Sequence, residues 1–379
     1  MKTDVLKRDC DVAIIGKGTA GLSVAARLSE KLKNDINVTV VGSNFGNSAF
    51  SPWNLRLQDT NSMFELLSRG IKDNDQISLV RKVSEEHQNA VNWLLSGSNI
   101  QVVETPFGIR PVGYATGRRM LKLLESKINN YFSIINGKVT DINIEPNNFK
   151  TFTSSKKSNS EIRSKYLVIA SGGKGHTQEN TTGNVSKNTN IINLVDRKGV
   201  ETVDTDRAMI HPFLIKDEKT GISGLIAGKF LTTCDFYSID KFGNTNEFLP
   251  SNIKDSIKNN DYHHLFSDLE KLFSSKVIKG HKIIMYTRMT EKDFDDFKLN
   301  DEYGQIFKNK NFDEINRGLN IVPGYHYTLG GIRIDKQCET NIPGLFALGE
   351  SSNLYNERPG GVGHIDSLVL SDVIASAIN

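Results

Sequence analysis

Cys10-Asp11-Val12-Ala13-Ile14-Ile15-Gly16-Lys17-Gly18-Thr19-Ala20-Gly21 is the stretch on which the reading of this chain turns. Its apolar half has the length and β-branched content of a strand buried on both faces. The glycines follow in GxGxxG spacing. Gly16 allows the tight turn, Gly18 lets backbone approach a pyrophosphate, and Gly21 lets the next helix pack on the strand. That helix carries Leu22, Ala25, Leu28 and Leu32 on one face, and its first residues, Thr19 and Ala20, would meet phosphate at the positive end of the helix dipole. A second strand at Val38–Val41 completes a βαβ unit, so the fingerprint reads as a dinucleotide site rather than a structural turn. The acid that should close the second strand and bind a ribose hydroxyl is replaced by Gly42-Ser43-Asn44. Ser43 and Asn44 either do that work more weakly or simply begin a loop, which also carries Ser48 as a candidate contact.

The rest of the composition narrows the partners. At 379 residues the chain exceeds a single core, so two lobes, or one core carrying a large insertion, are expected. With 47 Lys+Arg against 44 Asp+Glu the net charge is +3, and the cations are scattered, which argues against a nucleic-acid partner. Cys10, Cys234 and Cys338 lie far apart with no CxxC pair, so neither a disulfide framework nor a metal site is expected, and a reducing compartment fits. No apolar run reaches the roughly 18 residues of a membrane span. Asp4 and Asp9 among the N-terminal lysines argue against a signal peptide, so the expected location is the cytoplasm.

At the other end, residues 340–350 form a turn and a short apolar strand closing on Gly349-Glu350. This resembles the second FAD signature of flavoproteins with two dinucleotide folds, in which the acid hydrogen-bonds the ribityl or phosphate region. Asp366-Ser367-Leu368-Val369 opens the last helix, with Asp366 as its expected cap. By the same resemblance its N-terminus, with Ser367 and Leu368, points at the flavin N1/O2 edge; the alternative is a plain terminal helix.

Four further segments resemble the fumarate reductase and succinate dehydrogenase flavoproteins, and within them L-aspartate oxidase. They are Ala90–Leu95; Ala115-Thr116-Gly117-Arg118-Arg119; Val168–Gly173 with Thr181-Thr182; and Val322-Pro323-Gly324-Tyr325-His326-Tyr327-Thr328-Leu329-Gly330-Gly331. The resemblance implies an α/β fold: a Rossmann-like FAD domain over 1–213 and 323–379, with an accessory β layer at about 132–162 and a small α+β capping domain inserted at 214–322 that closes over the flavin. It adds Ala170 and Gly172 to the FAD contacts. It also implies an FAD-dependent oxidoreductase moving hydride between a small carboxylate or amino acid and flavin N5, with dioxygen, a quinone or fumarate as the open choices of electron partner.

His211 and His326 fall where the family's substrate histidines fall. The departures are as informative. Met209, Phe213 and Asp206 replace the family's Gln, Thr and Glu around the first histidine. The cap's catalytic arginine has no counterpart near Leu249-Pro250-Ser251-Asn252, and the clamping arginine before the last helix falls on Gly360–His364, which leaves Arg288 and Arg358 as candidates for relocated equivalents, with a solvated surface arginine as the alternative for each and the favoured one for Arg288. The position of the family's flavin-linking histidine falls near Ala49-Phe50, so FAD is expected to bind non-covalently, and no C-terminal helical domain is expected. Three readings remain: an L-aspartate oxidase or fumarate reductase type of enzyme, a same-fold dehydrogenase of a less charged substrate entering beside Met209 and Phe213, or a non-catalytic electron-transfer subunit.

Overall fold

Strand β1 (Val5–Ile15) runs into the glycine turn and helix α1 (Thr19–Leu32), and β2 (Val38–Val41) then returns parallel to it with Val12 opposite Val38 and Ile15 opposite Val41. The computed structural model describes residues 5–378 apart from 34, 44, 106, 114, 130–131, 156–157, 176–179, 182–189, 217–222, 226–230, 232, 259–268, 270–271, 273–275, 277–279, 301–306 and 308–310. The chain forms two units. One comprises Met1–Lys174, Ser186–Ala208 and Thr328–Asn379, the other Gly175–Val185 and Met209–Tyr327.

The first unit is built on a seven-stranded sheet. After β2 come β3 (Leu55–Arg56), α2 (Thr60–Leu67), α3 (Asn74–Leu95), β4 (Val102–Thr105), β5 (Gly108–Pro111) and α4 (Thr116–Ser126), of which β3, β5 and β4 make a small separate sheet. The main sheet continues with β6 (Ser133–Ile135), β7 (Lys138–Glu145), β8 (Asn148–Ser154) and β9 (Asn159–Ile169). Helix α5 (Ile191–Asp196) and β10 (Thr202–Val203) follow. The last segment supplies β17 (Gly331–Ile332), β18 (Leu345–Ala347) and α9 (Gly363–Ala377), which packs against α1 and α3. The parallel part runs β6-β2-β1-β9-β18, with Val12, Ala13, Ile14, Val38, Val40, Leu167, Val168 and Leu345 fully buried, as a sheet covered on both faces requires.

Two features differ from the pattern of apolar residues. β1 begins at Val5, five residues ahead of the expected start, because its solvent-exposed half pairs Val5–Cys10 with Asn159–Ser164 and carries no hydrophobic signature. The 132–162 segment is not a separate layer: β6 joins β2, and β7 and β8 continue the main sheet as an antiparallel wing. The eleven-residue β9 makes this continuous, pairing with β8 through its first half and with β18 through its last three residues.

The second unit holds a six-stranded sheet of order β12-β11-β16-β15-β13-β14. Its strands are β11 (Ala208–Lys216), β12 (Ser223–Leu225), β13 (Cys234–Ile239), β14 (Thr245–Glu247), β15 (Lys282–Thr287) and β16 (Leu319–Thr328). Helices α6 (Ser251–Lys258), α7 (Glu291–Asn300) and α8 (Phe312–Asn316) accompany them. Phe213, Phe236, Met285, Phe294, Phe307 and Ile321 are among the side chains of its own core. Most of the residues that follow α6, from 259 to 279, lie outside the described residues. Because β11 and β16 are whole strands of this sheet, His211 and His326 both belong to the second unit, and its edges lie at 208/209 and 327/328.

Gly16 has φ +123°, and a Cβ placed on it would lie 2.0 Å from the carbonyl oxygen of Ala170. Gly97, with φ +72°, has nothing within 4 Å of such a Cβ. Gly16→Ala is therefore expected to lose more than about 3 kcal/mol in urea unfolding, against about 1 kcal/mol for Gly97→Ala; equal losses would deny the close packing at this turn.

Candidate functional site

The glycine turn is built to receive an anion. Gly18 is the cap residue of α1, no side chain caps that helix, and its first turn has no acid. Cβ atoms would meet Ser48 Oγ at 3.1 Å from Gly18 and the Gly16 carbonyl oxygen at 2.0 Å from Gly21, so these glycines leave backbone as the surface of the cradle. The Thr19 amide donates to Ser48 Oγ over 3.2 Å. The Ala115–Arg119 segment explains itself here: Gly117 sits under the turn holding Ser48 and Ala49, where a Cβ would come within 2.5 Å of both carbonyl oxygens. Ala20 lies against Gly349, with 3.0 Å between its Cβ and the place of a Cβ on that glycine. Ser43 is exposed, and Asn44 lies outside the described residues.

Sequence reasoning met His364 only as the end of the 360–364 run that lacks the clamping arginine, and gave it no role. Its Nδ1 lies 2.9 Å from Thr19 Oγ1, its Nε2 lies 2.7 Å from Ser51 Oγ, and its ring stacks flat on the buried Trp53 at 4.1 Å. Burial first, then the Arg358 charge, takes its pKa down to about 3. A neutral imidazole has one donor and one acceptor nitrogen, which suits a hydroxyl on each side. The ring thereby ties the start of α1 to the 51–53 loop and the start of α9.

Three quoted segments converge in the same unit. A Cβ on Gly173 would meet Thr328 Oγ1 at 2.1 Å and Glu350 Oε1 at 2.3 Å, and the Thr328 amide donates to Glu350 Oε1 over 2.8 Å. Ala170 donates to the Ile15 carbonyl, and Gly172, at φ +77°, accepts from Ser351 Oγ. Beside them, Glu350, Gly349, Thr328, Tyr355, Arg358 and Asp366 line a small cleft. Together with the glycine cradle these residues fit a dinucleotide: backbone at the phosphates, a carboxylate further along, and a buried Tyr355 hydroxyl without a hydrogen-bond partner among the described residues.

Asp366 is not a cap. Helix α9 begins at Gly363 with no side-chain cap, and Asp366 lies one turn in, 2% exposed, accepting from Ser367 Oγ at 3.0 Å. The glycines ahead of it let the helix start earlier than the polar residue that usually marks a cap. Burial raises its carboxyl to about 6 against the pull of Arg358. Ser367 also donates to the Gly363 carbonyl, and Leu368 is fully buried in the core, so only its backbone is available to a cofactor.

Arg358 lies against Gly363, with Nη2 2.9 Å from the place of a Cβ there. Arg56, which no fingerprint contains, is 5% exposed on β3; its Nε donates to the Gly360 carbonyl over 2.9 Å, and its buried Nη1 has no hydrogen-bond partner among the described residues. A guanidinium from a distant strand thus supports the backbone of the 360–364 run.

In the second unit, strands β11 and β16 bring the His211 and His326 rings to 5.6 Å, edge to face. His211 is 3% exposed, and burial, then the neighbouring His326, holds it well below the usual imidazole range. The Phe213 amide donates to Nδ1 over 3.2 Å, so Nε2 carries the proton of the neutral ring. Phe213 itself is fully buried in that unit's core, which removes it from the substrate contacts expected beside Met209. Arg288 follows β15; 55% exposed, its Nε stands 3.6 Å from Asp235 in a surface ion pair. Thr181 bridges Tyr325, while Thr182 lies outside the described residues.

The Asp366 carboxyl sets a pH dependence whose sign follows from linkage. Its folded-state pKa exceeds the unfolded 3.8, so the native state holds the extra proton between that value and about 6, and stability falls as pH rises through this window. Asp366→Asn should gain on the wild type by up to about 3 kcal/mol as pH goes from about 4 to about 7.5 in urea unfolding of flavin-depleted protein; a flat difference would count against the buried acid.

Comparison with known proteins agrees with this geometry. The FAD binding domain family matches residues 84–361. An L-aspartate oxidase from Clostridium perfringens is 24% identical over 379 residues, covering 92% of this chain and 81% of that protein. One from Bacillus subtilis is 24% identical over 253 residues, covering 63% and 44%. The fold of an Escherichia coli quinol fumarate reductase superposes with a TM-score of 0.75 at 19% identity, over 99% of this chain and 70% of that one. The chain therefore belongs to the FAD binding domain family, as an FAD-dependent oxidoreductase similar to L-aspartate oxidases and fumarate reductase flavoproteins.

Proposed function

We propose that the protein transfers hydride between a small carboxylate or amino acid and FAD, in the manner of an L-aspartate oxidase or fumarate reductase. The observation that carries the substrate class is the histidine pair of the second unit. An imidazole kept neutral by burial, with Nδ1 accepting from the Phe213 amide, carries its proton on Nε2 and brings no charge that needs its own counter-ion. His326, half-buried beside it, supplies the second contact to a carboxylate oxygen. A guanidinium is the natural fork for a carboxylate, and of the two candidates Arg358 lines a cleft of the first unit with Glu350 and Asp366, whereas Arg288 is exposed in a surface ion pair.

Bound FAD supplies the two-electron acceptor at N5. Thr19 and the glycine backbone would hold its phosphates, and Glu350 would meet the adjoining polyol. Asp366, raised to about 6 by burial, is largely protonated below that pH, where it would act as a hydrogen-bond donor in the first turns of α9. With Ala49 and Phe50 where a linking side chain would stand, attachment is non-covalent. The absence of a membrane-crossing helix among the described residues fits a cytoplasmic enzyme.

Anaerobic addition of L-aspartate or succinate to the flavin-loaded protein should bleach the flavin bands, and His326→Ala should raise the half-saturating concentration at least about tenfold. Flavin that dithionite reduces but no carboxylate does would overturn the substrate assignment. Acid precipitation should leave all the flavin in the supernatant; flavin retained in the pellet would refute non-covalent binding.

A further inference from the structure

In a dinucleotide fold the residue closing the second strand normally offers a carboxylate to the adenosine ribose. Here that place holds Gly42, whose amide donates to the Ile135 carbonyl at the end of β6 while the Val41 carbonyl accepts from Gly16. The space at the end of β2 is therefore bounded by the glycine turn, Gly42 and Asn136. Lys17, the residue between the first two glycines of the fingerprint, fills it. A Cβ on Gly42 would lie 2.9 Å from Lys17 Cγ and 3.2 Å from Cδ, so the lysine stem occupies the volume an acid at 42 would need. The side chain is 7% exposed, and its ammonium donates to Asn136 Oδ1 over 2.6 Å and lies 5.1 Å from the Phe45 ring centre. Asn136 and Phe45 engage two sides of a group that carries three N–H donors.

We propose that Lys17, anchored by Asn136, replaces the missing carboxylate at the adenosine ribose, so that this end of the dinucleotide site is cationic and takes adenosine ligands with an anionic substituent on the ribose. A carboxylate accepts from ribose hydroxyls and repels phosphate; an ammonium donates to the hydroxyl oxygens and attracts phosphate. Gly42 is then the necessary counterpart of Lys17, since any side chain there would displace the lysine stem. The inference concerns the adenosine end alone and stands whichever substrate the flavin serves.

The test displaces FAD from the full-length flavin-loaded protein and follows the rise of free-flavin fluorescence. Adenosine 2′,5′-bisphosphate should compete at least about tenfold better than AMP. Lys17→Met should abolish that preference and weaken FAD several-fold while leaving FMN, which lacks adenosine, unaffected. Lys17→Ala combined with Gly42→Glu should reverse the preference in favour of AMP. Should Lys17→Met fail to fold by circular dichroism, Asn136→Ala, on an exposed residue, must reduce the preference several-fold. Equal competition by the two nucleotides in the wild type, or a preference unchanged in folded Lys17→Met or in Asn136→Ala, would overturn the proposal and leave Lys17 a packing residue.

Discussion

The arrangement of the first unit depends on one steric constraint: where β1 ends and α1 begins, backbone passes backbone at distances that admit no Cβ. Gly16 lies against Ala170 and Gly21 lies against Gly16, with 2.0 Å left for a methyl group in each case. Because the ends of β1 and β9 and the start of α1 are held this close, the free amides of α1 open beside the ends of both strands, where β18 and Glu350 also arrive. Hydrophobic burial stabilises the sheet, but this junction sets where the cofactor is received.

The second theme is how polarity is handled where charge must be met. His211 and His364 are kept neutral by burial, Asp366 is kept largely protonated up to about 6, and Lys17 and Arg56 are sequestered with few partners. Buried polar groups cost stability unless partnered, and clusters of them mark places where a ligand completes the hydrogen bonding. In this chain they gather around the glycine cradle, the Gly360–Gly363 loop and the paired histidines.

Much of this was legible beforehand. β1, α1 and β2 are local in sequence, with the periodicity of apolar residues and the glycine spacing both intact, so Val38–Val41 was located to the residue. The strand before Glu350 and the histidines of β11 and β16 were marked by fingerprints. Contacts made only by folding left no such trace. Arg56 sits on a two-residue strand and gains meaning from Gly360, some three hundred positions away; His364 gains it from Thr19 and Ser51. The cap assignment of Asp366 erred for a related reason: propensity favours a polar residue at a helix start, but tertiary packing let α9 begin at Gly363 and drew the acid inside.

The central strand β9 is completed by a partner from the far end of the chain, Leu345–Ala347 beside Leu167–Ile169, and α9 packs on α1 only from Gly363 onward. Between them the chain makes an entire second unit with its own core. During synthesis, then, the glycine cradle is made first and its opposite wall last, and the apolar edge of β9 stays uncovered while the intervening residues emerge. At a synthesis rate of roughly 5–20 residues per second that interval lasts on the order of ten seconds or more. Contacts of such sequence separation form slowly. The nascent protein must carry an open sheet edge through that interval, so the two walls of the cradle meet only after α9 has docked.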